Sequence, residues 1–238
     1  MEWLYQSLRL PEALLHHQQG DYGTIGAGYG FGGGRVRPGE YCNSKHNSKI
    51  LQIVLDSPVI QCIAQYVDQG LLALFPKLHA LYTNLGEKIV NADGRIKPSF
   101  ERCCYPACHF NLHEAGALTH SNYWNWLFSM CSIFSGGPFD HRRGAHLIAW
   151  SLGLAVEFPS GSAVFLPSAA VPHANTSAAP LEHRHSLAFF LPAGLVCYYH
   201  NGYRSDKDFR ELASPQQLKA WLDYRKDMWK QGLELLQY

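Results

Sequence analysis

Thirteen histidines stand among 238 residues, and imidazole is both the commonest transition-metal ligand and a common acid–base group. Taking each with its second neighbour yields His109-x-Asn111, His120-x-Asn122 and His173-x-Asn175, with no His-x-Asp or His-x-Glu anywhere in the chain. The pattern matters because the non-haem iron facial triad uses two histidines and one carboxylate and leaves the remaining positions open. A strand can supply the first histidine and the carboxylate, since residues i and i+2 project from one face. The second histidine then comes from a later strand alongside. His120, Asn122 and His173 follow that order, and Arg184 lies 11 residues beyond His173. An arginine there offers a planar fork that pairs bidentately with the distal carboxylate of 2-oxoglutarate. One side chain departs from the arrangement: position 122 carries a carboxamide where the triad needs a carboxylate.

Other chemistries are weaker. Cys103, Cys104 and Cys108 with His109 and His113 suggest zinc, yet no second Cys-x-x-Cys knuckle exists and an alternating apolar strand accounts for the segment equally well. Gly28, Gly30 and Gly33 match G-x-G-x-x-G, but no apolar strand precedes them and Pro38-Gly39 follows, so the dinucleotide context fails. A G-x-S-x-G elbow is absent, which leaves nucleophilic hydrolase chemistry without a signature.

The elements that must position these residues follow from periodicity. Hydrophobic residues are 47% and charged residues 16%, enough for a sizeable core and incompatible with a disordered tail or coiled coil. Residues 1 to about 18 read as a helix, and 20–40 as a glycine-rich loop covering a site or running over the surface. Ser57-Pro58 and Ser214-Pro215 start helices over 57–85 and 214–236, whose apolar stripes read as packing faces. Between Tyr105 and Tyr199 lie short apolar runs broken by Gly, Pro, Ser and Asn, with Pro159-Ser160-Gly161-Ser162 turning between LAVEF and SAVFL. Even-spaced strands flanked by helices predict a mainly β (α+β) chain built on a jelly roll. One domain over 1–238 is expected: helices and the glycine loop in 1–100, a β core over about 105–204, and a helix at 214–236. Trp124 and Trp126 should share one face if the strand continues past His120. The net charge of +1 predicts no global attraction to nucleic acid. No apolar run is long enough to span a membrane, so no membrane association is expected. The first residues lack a signal-peptide pattern, and the odd, unpatterned set of seven cysteines fits a reducing, intracellular setting, nuclear or cytoplasmic.

The stretch GGPFDHRRGAHLIAWSLGLAVEFPSGSAVFLPSAAVPHANT, followed by HRHSLAFFLPAGLVCYYHNGYR, resembles the core of the fungal TET/JBP-like group of Fe(II)/2-oxoglutarate-dependent oxygenases. The likeness covers roughly residues 105–204, with GYGFGGGRVRPGE extending it more weakly. It implies a double-stranded β-helix of the cupin-like kind, Fe(II) and 2-oxoglutarate as cofactors, O₂ as co-substrate, and oxidation of a methylated base in DNA, of the 5-methylcytosine or N6-methyladenine type. By match of position it makes His120 and His173 iron ligands and Arg184 the oxoglutarate anchor, and it sets Asn111 as a polar contact to the cosubstrate.

Asn122 stands where that pattern has Asp. A neutral carbonyl oxygen forgoes the charge that offsets a divalent cation, a loss of several kcal/mol in order of magnitude. Four readings stay open: weak coordination in a working enzyme, a non-catalytic binding descendant, a deliberate Asp-to-Asn change, or another carboxylate such as Glu114 or Asp140. The substrate also stays open between a modified base and a small molecule.

Overall fold

Period-two alternation builds the centre of the molecule. In the computed structural model, which describes residues 1–237, β5 (Ala107–Leu112) buries Cys108, Phe110 and Leu112 on one face and turns Ala107, His109 and Asn111 to the other. It pairs antiparallel with β3 (Gly23–Gly30) and β11 (His185–Phe190), and β11 pairs in turn with β6 (Cys131–Gly136). The edges of this six-stranded sheet are β4 (Gly39–Glu40) beside β3 and β9 (Ala163–Leu166) beside β6. A three-stranded sheet of β8 (Leu154–Val156), β7 (Leu147–Ala149) and β10 (His173–Asn175) completes a double-stranded β-helix with flanking helices. His120 extends the small sheet through a bridge to His173, with reciprocal main-chain bonds of 3.0 and 2.9 Å.

Helices α2 (Lys45–Leu55), α3 (Pro58–Leu74) and α4 (Pro76–Ala92) cover the outer face of the large sheet. Ala64, Val67, Leu71 and Leu78 are fully buried there in one core with Phe110 and Phe189. Each such leucine or phenylalanine stabilises the fold by roughly 1.5–3 kcal/mol. Leu74 ends α3 because Pro76 cannot continue it, and the proline instead starts α4. Beyond β11 come α5 (Ala193–His200), α6 (Asp206–Leu212) and α7 (Pro215–Leu235), the last held at its start by a Ser214–Gln217 capping box. No single described helix is long and apolar enough to cross a membrane; α2 and α3 pass that test only as a pair bent by 71°, and their apolar faces lie in the core.

Several expectations need correction. The helix expected over 1–18 is only α1 (Glu2–Ser7), because Pro11 lacks the donor that would continue it; the small hairpin of β1 (His16–His17) and β2 (Gly20–Asp21) follows. The first half of the expected glycine loop is β3. Ile25, Ala27 and Tyr29 supply its apolar face, and Gly26 and Gly28 lie on the other, crowded by Tyr41, His109 and Pro106. A Cβ at Gly28 would lie 2.1 Å from the Pro106 carbonyl oxygen, and its φ of +94° also requires glycine. With Gly28 and Gly30 inside a strand, no phosphate-binding turn forms. LAVEF and SAVFL are joined by the expected turn but lie in different sheets, β8 beside β7 and β9 beside β6. Trp124 and Trp126 do not share a face: Trp126 is buried in the core against Phe128, while Trp124 sits in a turn, 71% exposed.

Candidate active site between the two sheets

The inward face of the large sheet is laid out in rows by its register. Thr24, Asn111, Ser186 and Ser135 are successive neighbours across four strands, and Gly26, His109, Ala188 and Ile133 form the next row. These rows face the small sheet across a cavity of about 460 Å³. His120, Asn122, His173 and Asn111 all line it, so four of the five expected site residues meet at one place.

Both histidines are held alike. His120 Nδ1 lies 2.7 Å from the Leu118 carbonyl and His173 Nδ1 lies 2.8 Å from the Val171 carbonyl. A carbonyl only accepts, so each Nδ1 carries the proton and each Nε2 keeps its lone pair. This is the arrangement that orients a ligating imidazole. The rings are 4.4 Å apart. Burial lowers the pKa of His120 and takes that of His173 down to about 4, the mutual repulsion of the two rings adding to the latter. Both are neutral at pH 7, as a metal ligand must be.

His120 and Asn122 do not lie on a regular strand. A single bridge residue is followed by a turn in which Asn125 N–H donates to the Asn122 carbonyl at 2.8 Å, and Asn122 N–H donates to Ser168 O at 2.9 Å. The side-chain oxygen of Asn122 accepts from Gln19 Nε2 at 3.1 Å, and Tyr22 donates to the other end of Gln19 at 3.4 Å. Nothing in the local sequence pattern marks Gln19, which reaches the site from the β1–β2 hairpin 103 residues away. Among the described residues lining the cavity there is no Asp, Glu, Lys or Arg. Glu114 and Asp140 are exposed and lie outside that lining. The cavity therefore offers two neutral imidazoles, which suit Fe(II), and the Asn122 carboxamide oxygen, which Gln19 already holds, but no anionic oxygen.

Asn111 accepts from Thr24 Oγ1 at 3.1 Å and donates to Ser186 Oγ at 3.2 Å along its row. Arg184 does not line the cavity but precedes Ser186 by two residues, and strand alternation carries it to the same face. It is 2% exposed. One of its terminal nitrogens donates to the Ala115 carbonyl, its head packs 5.5 Å from the Phe158 ring centre, and Nε and the other terminal nitrogen have no hydrogen-bond partner among the described residues. Burial lowers its pKa to about 10, which still leaves it charged at neutral pH, and Tyr22 lies close enough to favour the charge. A buried guanidinium without an anion is costly, and its two open donors suit a carboxylate.

The cysteine-rich segment does not assemble as a five-residue zinc site. Cys108 and His109 point to opposite faces of β5, His113 lies at its end beside Glu2, and Cys104 approaches Asp68 and His79.

No protein-family model matches the chain, and no curated protein matches it. Among solved structures, NgTET1 in complex with 5mC DNA superposes with a TM-score of 0.53 at 17% identity, covering 72% of this chain and 61% of that one. The chain thus spans about 61% of that structure's length and shares its fold. An oxidoreductase of the 2OG-Fe(II) oxygenase family from Burkholderia pseudomallei matches at 16% identity with a TM-score of 0.40, over 79% of this chain and 76% of that one. A viral collagen prolyl hydroxylase from Paramecium Bursaria Chlorella virus-1, in its 2OG complex, matches at 8% identity with a TM-score of 0.28, over 44% and 66%.

Proposed function

We propose that this chain is a 2-oxoglutarate- and Fe(II)-dependent dioxygenase that hydroxylates a C–H bond. The observation that carries the reading is Arg184, a buried cation with two donors lacking acceptors, two residues before Ser186, which lines the same cavity as His120 and His173. The guanidinium takes the distal carboxylate of 2-oxoglutarate, and Asn111 and Ser186 offer polar contacts along its length. His120 and His173 hold the metal through Nε2, with Asn122 as a neutral third donor. When bound, iron with 2-oxoglutarate and O₂ supplies the oxidising power that converts C–H to C–OH while the cosubstrate becomes succinate and CO₂. The protein's part is to orient the substrate and keep water from the reacting centre.

The substrate we propose is a methyl group on a modified base, in keeping with the DNA bound by NgTET1. Gln18, Gln19, Asn125 and Asn175 face the cavity without charge, and Tyr123 and Trp124 stand exposed at its rim. Uncharged donors and acceptors with aromatic faces suit a planar base taken out of its stack. A small neutral molecule would use the same groups. The absence of a lining carboxylate favours a second reading, a binding protein that retains the pocket without turnover.

Calorimetry with 2-oxoglutarate, followed by an assay for succinate with Fe(II) and O₂, separates the readings. Binding and succinate formation support the dioxygenase; binding without succinate supports the binding protein. No binding at all would remove both.

A further inference from the structure

We infer that the chain carries a second transition-metal site, of the Zn²⁺ kind, built by Glu2, His113 and His183 where α1 meets the end of β5 and the residues leading into β11. One ligand atom from each of the three lies within 4.8 Å of the others. Both oxygens of Glu2 stand 3.5 Å from His113 Nδ1. Zinc–ligand bonds of about 2.0–2.1 Å place tetrahedral ligand atoms about 3.4 Å apart, so this edge already has the span that an ion needs.

Three further observations point to a ligand rather than to an ordinary hydrogen-bonded cluster. His183 Nδ1 is buried without a hydrogen-bond partner among the described residues. His185 Nδ1 accepts the main-chain N–H of His113 at 2.9 Å, so its proton is on Nε2, which faces Glu2 at 3.5 Å. A protonated ring nitrogen held beside the ligating carboxylate is the kind of outer support such sites use. The backbone at His113 is left-handed, with φ of 72°, a conformation seldom adopted by L side chains and kept where surroundings hold it. Tyr5 stacks on the same ring at 4.6 Å and fixes its plane. Glu2 accepts only long bonds, from Gln6 at 3.3 Å and His113 at 3.5 Å, whereas Asp68 in the Asp68–His79–Cys104 group accepts from His79, Gln69 and the Cys104 main chain at 2.9–3.0 Å and is satisfied without an ion.

Imidazole and carboxylate donors with no thiolate suit Zn²⁺, with water in the fourth position. The ion would tie α1 to the end of β5 and to the residue that precedes Arg184. This inference does not depend on the oxygenase reading.

The test uses the full chain stripped of metal and titrated with Zn²⁺ alone against a chromophoric chelator. His120→Ala/His173→Ala removes the cavity histidines, and His183→Gln or Glu2→Gln is added to that background. The double variant should bind one Zn²⁺ per chain and gain thermal stability with it. Adding His183→Gln or Glu2→Gln should weaken binding by roughly a hundredfold, as loss of one ligand from a high-affinity site does. Should His183→Gln fail to fold, Glu2→Gln decides, since its side chain keeps its shape and sits partly exposed. The inference is overturned if the double variant binds no Zn²⁺, or if folded variants at positions 2 and 183 bind it as tightly as their background.

Discussion

Two histidine pairs in this molecule have the same ring separation, 4.4 Å for His120–His173 and 4.4 Å for His113–His183, yet their surroundings differ in kind. In the first pair each Nδ1 is committed to a carbonyl two residues back, both residues line the cavity, and no carboxylate is among the described lining residues. In the second, Glu2 stands beside the rings and one nitrogen is left without a partner. Ring proximity therefore says little about what a pair can hold. The fixed anion and the group that claims the other nitrogen decide it. The cavity pair has orientation without charge, and the outer cluster has charge without a cavity around it.

The sharpest way to separate orientation from charge is at Arg184. Arg184→Leu removes two charge-assisted hydrogen bonds worth about 1.5–3 kcal/mol each, so 2-oxoglutarate affinity should fall by roughly a hundredfold to ten-thousandfold. Without ligand, the same change should raise the unfolding midpoint, because an unpaired buried charge is gone. Calorimetry and chemical denaturation read the two effects, and unchanged affinity would show that another cation anchors the ligand.

Asn122→Asp should act next most strongly. It restores the anionic oxygen without changing side-chain shape, and Fe²⁺ affinity should rise by roughly a hundredfold through the added charge. Succinate formation should appear or increase with it. An equal Fe²⁺ affinity in both forms would mean that position 122 does not face the metal, and Glu114 and Asp140 would then be the residues to replace.

Acid should expose the cost of keeping the cavity histidines neutral. Burial holds His109, His173 and His185 at about 4, against an ordinary value near 6.5. The unfolded chain takes up protons that the folded rings refuse. Their stabilising effect is complete above about pH 6.5 and is lost as pH falls toward 4, at roughly 1.4 kcal/mol per pH unit for each ring. Urea midpoints measured between pH 7 and 4.5 should show this slope, and His173→Gln should reduce it by one proton; the same slope in that variant would contradict the assignment.

The smallest effect is expected at Gln19. Gln19→Ala frees the Asn122 oxygen from a neutral hydrogen bond worth about 1 kcal/mol, so Fe²⁺ affinity should rise by less than tenfold. A fall in affinity would instead identify Gln19 as a support for the metal site.

The cavity was legible in the chain because its parts are local. His120 and Asn122 are two residues apart, and Asn111 faces the cavity through the alternation of β5. What could not be read comes from distant neighbours. Gly26 and Gly28 look like loop residues until Tyr41 and Pro106 are seen packed against them. Gln19 meets Asn122, and Glu2 meets His113 and His183, only through the tertiary path. The chain therefore announced the cavity histidines through spacing but concealed the outer cluster, whose ligands share no spacing at all. Composition also misled over residues 23–30, where a side-chain-free face is a packing requirement and not a sign of a loop.

That bare face on β3 has a consequence for how the pocket could adapt. A methyl group at Gly26 would meet Tyr41 at 3.1 Å and His109 at 3.2 Å, and both rings line the cavity. Gly26 itself contributes nothing to the lining, yet its size sets how far those rings can recede. A lineage could thus narrow the chamber through one alanine that never touches the bound molecule, leaving every polar contact in place. Substrate size and substrate chemistry would then be inherited on separate residues, and each could drift without disturbing the other.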